Sequence, residues 1–156
     1  MKPQDILILL KILSTNKKDW RQVDLAESLG LSQSEISQSL IRLRYSRFLA
    51  DDGKMVMRSA LLDFLLYGIA YAFPQHPGSV VRGIPTAHSA PPLNNEIVSE
   101  ENFVWPSATG ELRGHMIEPL YPTVPKAVKN DQRLYEFLAL VDAIRIGKVR
   151  EKNLLQ

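Results

Sequence analysis

Between Gln4 and Ser14 the apolar residues Ile6, Leu9, Leu10 and Leu13 recur at the three- and four-residue spacing that puts them on one face of a helix. Asp5 stands in its first turn, where the helix dipole favours a carboxylate. After a polar break, Trp20 to Leu29 repeats the pattern with Val23, Leu25, Ala26 and Leu29, and Gly30 supplies a residue suited to the left-handed conformation that ends helices. Leu31 fills the turn that follows. Ser32 with Glu35 three residues later has the form of a capping box and predicts a third helix running to about Arg47. Phe48 to Arg58 then predicts two short strands around the turn Asp51-Asp52-Gly53, because an Asp-Gly pair suits a hairpin.

The pattern changes downstream. Ser59 is placed to cap a fourth helix, Ala60 to Phe73, in which Leu61, Leu62, Phe64, Leu65, Leu66, Ile69, Tyr71 and Phe73 leave almost no polar face. Such a helix requires cover, either from its own chain or from a second copy. Nine of the ten prolines fall between Pro74 and Pro125, so this stretch is expected to run extended, with turns. Its apolar residues Phe103, Val104, Trp105, Leu112, Met116, Ile117, Leu120 and Tyr121 argue for a wrap over the helices, with a hairpin from Trp105 to Ile117 turning near Thr109-Gly110. From Asp131 a last helix aligns Leu134, Phe137, Leu138, Val141 and Ile144, Gly147 breaks it, and Lys148, Arg150 and Lys152 form a basic tail. The expected architecture is mainly α. It comprises residues 1–73 as a helical unit with a hairpin, 74–125 as a Pro-rich extended wrap, and 126–156 as a C-terminal helical segment suited to dimerisation.

Charge narrows the function. The chain has 156 residues with 19 basic against 17 acidic groups, too near balance for a general polyanion binder. The distribution is uneven: residues 1–60 carry 10 basic and 7 acidic side chains, 61–120 carry 2 and 6, and 121–156 carry 7 and 4. The absence of cysteine excludes disulfides and thiolate metal sites and fits a cytoplasmic location. The apolar run Ala60–Phe73 has 14 residues, short of the roughly 20 that cross a bilayer, and no signal peptide or membrane association is expected. His76, His88 and His115 are scattered without metal-ligand spacing, so no metal or other cofactor is expected. Ser89, His115 and Asp142 can be assembled on paper into a triad, yet no nucleophile elbow or phosphate loop accompanies them, and the chain reads as no enzyme. Phe103, Trp105, Tyr121 and His88 read either as packing or as the lining of a small-molecule pocket.

On the third helix, Ile36, Leu40 and Leu43 share the core face, while Ser34, Ser37, Gln38, Ile41, Arg42 and Tyr45 follow the same spacing on the far side. Short polar side chains near the start of such a helix let it enter a major groove, where Gln pairs with adenine and Ser reaches bases or phosphates. Arg42 is expected on the DNA backbone, and Lys54 and Arg58 of the hairpin on phosphate or in the minor groove. Leu25, Ala26, Leu29, Gly30, Leu31, Ser32, Ile36, Ser37, Leu40 and Leu43 together resemble the winged helix-turn-helix of bacterial and archaeal transcription regulators of the MarR, ArsR and Lrp kinds. The resemblance covers about residues 1–73, and those regulators usually have glycine where this chain has Arg47. It implies sequence-specific binding of double-stranded DNA by a homodimer, most simply as a repressor, with readout by Gln33, Ser34, Ser37 and Gln38, to which the residue pattern adds Ser32, Arg42, Lys54 and Arg58 as expected DNA contacts. The alternative reading is an antitoxin-like or adaptor protein whose residues 74–156 clasp a protein partner.

Overall fold

The structure is a computed structural model that describes residues 1–95 and 101–147. Among these residues it contains seven helices and one three-stranded sheet, and the chain is α-rich as the periodicity predicts. The basic tail lies outside the described residues.

The first helix, α1 (Pro3–Thr15), is enclosed far more completely than its one-sided apolar pattern predicts, with Ile6, Leu7, Ile8 and Leu9 all at 0% exposure. It is the axis around which α2 (Gln22–Leu29), α3 (Gln33–Tyr45) and the last helix, α7 (Gln132–Arg145), pack. Gly30 ends α2 with φ 67°, a left-handed backbone that an L side chain rarely adopts. Ser32 caps α3 as predicted, its hydroxyl accepting the Glu35 amide at 3.1 Å, while the Glu35 carboxylate accepts from that hydroxyl at 3.2 Å.

After α3 the chain makes a minimal hairpin rather than two full strands. Leu49 bridges Val56, the Met57 amide donates to the Phe48 carbonyl at 2.8 Å, and Asp52 Oδ1 accepts the Lys54 and Met55 amides at 2.8 and 3.2 Å. The side-chain turn of Asp52 replaces ladder bonds that longer strands would make. The predicted helix over residues 60–73 is two helices, α4 (Arg58–Tyr67) and α5 (Ile69–Ala72), and its N-cap is Met57 rather than Ser59. Gly68 makes the break: its φ is −123°, and a Cβ there would lie 2.9 Å from the Phe64 ring. Leu61, Leu65, Leu66 and Ile69 are buried within the chain, whereas Tyr67 and Tyr71 are exposed, so the cover that the sequence demanded is supplied mainly by the protein itself.

The Pro-rich stretch forms a small closed sheet of β1 (Val80–Pro85), β2 (Phe103–Pro106) and β3 (Leu112–Met116). The expected hairpin from Trp105 to Ile117 does not form, because β2 and β3 run parallel, Phe103 opposite His115 and Val104 opposite Met116. Both pair antiparallel with β1 instead, β3 along Val80–Gly83 and β2 along Gly83–Pro85. Closure of so few strands forces backbone onto backbone, which only glycine allows: a Cβ would fall 2.1 Å from the Trp105 carbonyl oxygen at Gly83 and 2.2 Å from the Gly83 carbonyl carbon at Gly110.

The short helix α6 (Val124–Ala127) then leads to α7, which lies between the helices and the sheet. Leu134, Leu138, Val141 and Ile144 join the main core, while Leu140 and Ala143 join a second cluster with Ala87, Leu93, Phe103 and Ile117. α7 is thus used on two faces inside one protomer, and one continuous core crosses all three expected segments. In the last turn of α7, Asp142 and Arg145 are sealed from solvent, with side-chain exposures of 2% and 6%. Asp142 Oδ2 accepts the Thr86 hydroxyl and the Trp105 indole N–H, each at 2.7 Å, and Oδ1 accepts Arg145 at 2.8 Å. Arg145 also donates to the Phe73 and Glu118 carbonyls at 3.0 and 3.1 Å. Burial pushes the Asp142 carboxyl above its ordinary range, against the pull of Arg145 and the two other donors. Replacing Arg145 with Met leaves that carboxyl buried without its cation, so chemical denaturation is expected to show a loss of about 3–5 kcal/mol.

Candidate nucleic-acid interface

The site is built on α3. Ile36 and Leu43 are at 0% exposure against the core, and this inward anchoring turns Ser34, Gln38, Ile41 and Tyr45 outward in one stripe. Gln33 and Ser34 are exposed at the start of the helix, and the Gln38 amide donates to the Ser34 hydroxyl at 3.3 Å. Ser37 is half-buried at the edge of the stripe. Ser32 is exposed but occupied, since its hydroxyl caps α3 and also donates to Glu35 Oε1 at 3.2 Å.

Arg42 does not point outward with these residues. Its guanidinium turns toward α1 and makes a fork with fully buried Asp5, Nε to Oδ2 at 3.0 Å and an Nη to Oδ1 at 2.9 Å, and it also donates to the Ser39 hydroxyl at 3.0 Å. The Lys2 amide completes the shell of Asp5 at 2.9 Å. Burial alone would raise the Asp5 carboxyl, but Arg42, the Lys2 amide and Ser39 outweigh it and hold the pKa below the ordinary value. An arginine clamped by a buried carboxylate is a joint between α1 and α3, not a free phosphate ligand.

Lys54 is likewise drawn inward. Its Nζ donates to the Trp20 carbonyl at 2.7 Å and sits 4.2 Å from the Trp20 ring centre, while the Trp20 indole donates to the Lys54 carbonyl at 3.0 Å. This exchange pins the hairpin to the chain just before α2. Arg58 opens α4 and is exposed, at the rim of a cleft between α1, α4 and α7.

Two further cations of this segment are presented to solvent. Arg44 is exposed on the flank of the stripe, and Arg47 is exposed just beyond the end of the helix. Arg47 adopts φ 65°, a left-handed conformation that glycine adopts at the least cost. The Phe48 amide donates to the Leu43 carbonyl at 2.9 Å and the Arg47 amide to that of Arg44 at 3.1 Å, the bonding of a helix end that leaves through a left-handed residue. A residue from the far end of the chain also reaches the site: the Tyr121 hydroxyl donates to Glu35 Oε2 at 3.0 Å, and with Ser32 it holds the Glu35 carboxyl below its ordinary range. No sequence signal links Tyr121 to Glu35, because proximity arises only when the Pro-rich return segment folds back.

The other groupings read from the sequence are not assembled. Asp142 is engaged with Thr86, Trp105 and Arg145, the Ser89 hydroxyl accepts the Phe103 amide at 2.9 Å, and His115 Nδ1 lies 3.0 Å from the Gly78 carbonyl. Trp105 and Phe103 are buried in separate clusters, and Tyr121 sits beside α3, so these aromatics line no common pocket. In comparisons with known proteins, no protein-family model, no curated protein and no solved structure matches this chain.

Arg47→Gly removes the cost of a left-handed L residue and is expected to stabilise the protein by about 1 kcal/mol in urea unfolding. Asp5 and Asp131 both have depressed pKa values, Asp131 because Lys11, the Leu134 amide and Ser14 outweigh its burial. Their contribution is full above the unfolded value of about 3.9 and disappears as pH falls through the lower folded values, so stability is expected to drop on acidification below about pH 4. Arg42→Gln is expected to cost about 2–4 kcal/mol at pH 7, a loss that shrinks at pH 3 because protonated Asp5 is no longer an unpaired buried charge.

Proposed function

We propose that the protein binds double-stranded DNA sequence-specifically and regulates transcription, using the α2–turn–α3 unit as a winged helix-turn-helix. The observation that supports this most is the outward stripe of α3, polar at its N-terminal end with Gln33, Ser34 and Gln38 free of core packing. A helix that presents short polar groups at its leading end suits the major groove, with Gln38 placed to read an adenine edge. The hairpin pinned through Trp20 and Lys54 forms the wing. Arg44 and Arg47 take the phosphate-contacting role in place of Arg42 and Lys54, and Ser32 serves as the cap that aims the helix. Two copies would set their α3 helices in successive major grooves about 34 Å apart, and repression would follow from blocking the promoter.

A second reading rests on the apolar part of the same surface. Ile41 is 66% and Tyr45 89% exposed along the stripe, and Met55 and Met57 are exposed on the hairpin. Such a patch suits a protein partner, in which case the unit acts as an adaptor or antitoxin-like module.

Selection of bound duplexes from a random library separates the two. Enrichment of a near-palindrome is the expected result; no enrichment by folded protein, with a stoichiometric partner on purification from the host, supports the second reading. Within the first, Gln38→Ala is expected to change which sequence is preferred. Arg44→Gln and Arg47→Gln are each expected to weaken binding to all sequences and lower the slope of log affinity against log salt by about 1. Arg42→Gln should leave that slope unchanged, its effect appearing in thermal stability.

A further inference from the structure

We propose that the cleft between α1, α4 and α7 binds a small amphipathic carboxylate, with the chain of an aliphatic acid inside and its carboxylate held by Arg58 and Arg133. The cleft has a volume of about 380 Å³, within the range of small-molecule sites. Buried Leu10, Leu61, Leu65 and Val141 form its floor, and half-buried Leu13, Leu62 and Phe137 form its walls. Every one of these side chains is apolar, so the interior offers nothing to a polar or charged body.

The two remaining lining residues are both arginines. The Arg133 guanidinium lies 5.7 Å from the centre of the Phe137 ring, against the wall of the cleft, and Arg58 stands in the first turn of α4. Both side chains are exposed, and among the described residues neither forms an ion pair. Asp63, the acidic residue of α4, projects from another side of that helix, since five residues at about 100° each carry Arg58 to the opposite face. Uncompensated guanidiniums over an apolar floor complement one kind of ligand, an anion with a hydrophobic body. A planar carboxylate matches the fork of a guanidinium, and two guanidiniums line this one cleft.

This site stands independently of the DNA-binding reading. The probe is octanoate, followed by isothermal titration and by chemical shifts of the cleft leucine methyls. Saturable binding is expected, at least tenfold tighter than that of octanol, which lacks the charge, or of acetate, which lacks the body. Octylammonium should not bind. Arg58→Gln and Arg133→Gln change exposed side chains and should retain the melting temperature while each weakens octanoate at least about fivefold; Leu62→Trp, which fills the cleft, should abolish it. Absence of saturable binding, equal affinity for octanol, or indifference to both arginine substitutions would overturn the proposal.

Discussion

Asp142 with Arg145 is the interaction through which the second half of the chain is organised. Its carboxylate gathers Thr86 beyond β1 and Trp105 of β2, and its guanidinium gathers the carbonyls of Phe73 and Glu118. These groups come from four separate stretches, none of which has enough regular secondary structure to hold its own place. A charge pair away from water tolerates little displacement, because any donor that leaves exposes an unsatisfied charge to an apolar interior. The pair therefore fixes α7 between the helical core and the small sheet, and Trp105 can then enter the core that α1 shares.

Two further acid–base pairs apply the same device toward the N-terminus, with less complete burial. Lys11 meets Asp131 at 2.7 Å, joining α1 to the N-cap of α7, and Arg42 meets Asp5, joining α3 to α1. The result is a chain of fixed joints from the sheet through α7 and α1 to α3. The candidate reading helix is thus positioned from behind by a buried carboxylate, which leaves its outer face free of structural duties. The same arrangement places α4 between the hairpin and the cleft over α7.

Much of the candidate interface was legible in the sequence. The turn at Gly30, the cap at Ser32, and the inward face of Ile36 and Leu43 depend on residues within a few positions of one another, and all are found as read. Arg42 and Lys54 were misread because helix and hairpin periodicity place a side chain on a flank but do not say what lies across from it. Their partners, Asp5 and Trp20, are 37 and 34 residues away. Arg47 lies past the end of the helix at Tyr45, so helical spacing does not say where its side chain points.

The sequence by itself determined the first three helices and the last, the caps at Ser32 and Asp131 and the bends at Gly30 and Gly147, because hydrogen bonding and backbone sterics along a few residues decide these. It did not determine whether β2 and β3 would form a hairpin or run parallel, since both outcomes use the same short apolar strands, and the choice fell to Gly83 and Gly110 meeting across a closed sheet. Nor did it determine the fate of its charged residues. Asp5, Asp142 and Arg145 look like solvent-facing positions in a linear pattern, yet each is buried. Only the packed fold brings their hydrogen-bond partners close enough to make burial of charge tolerable.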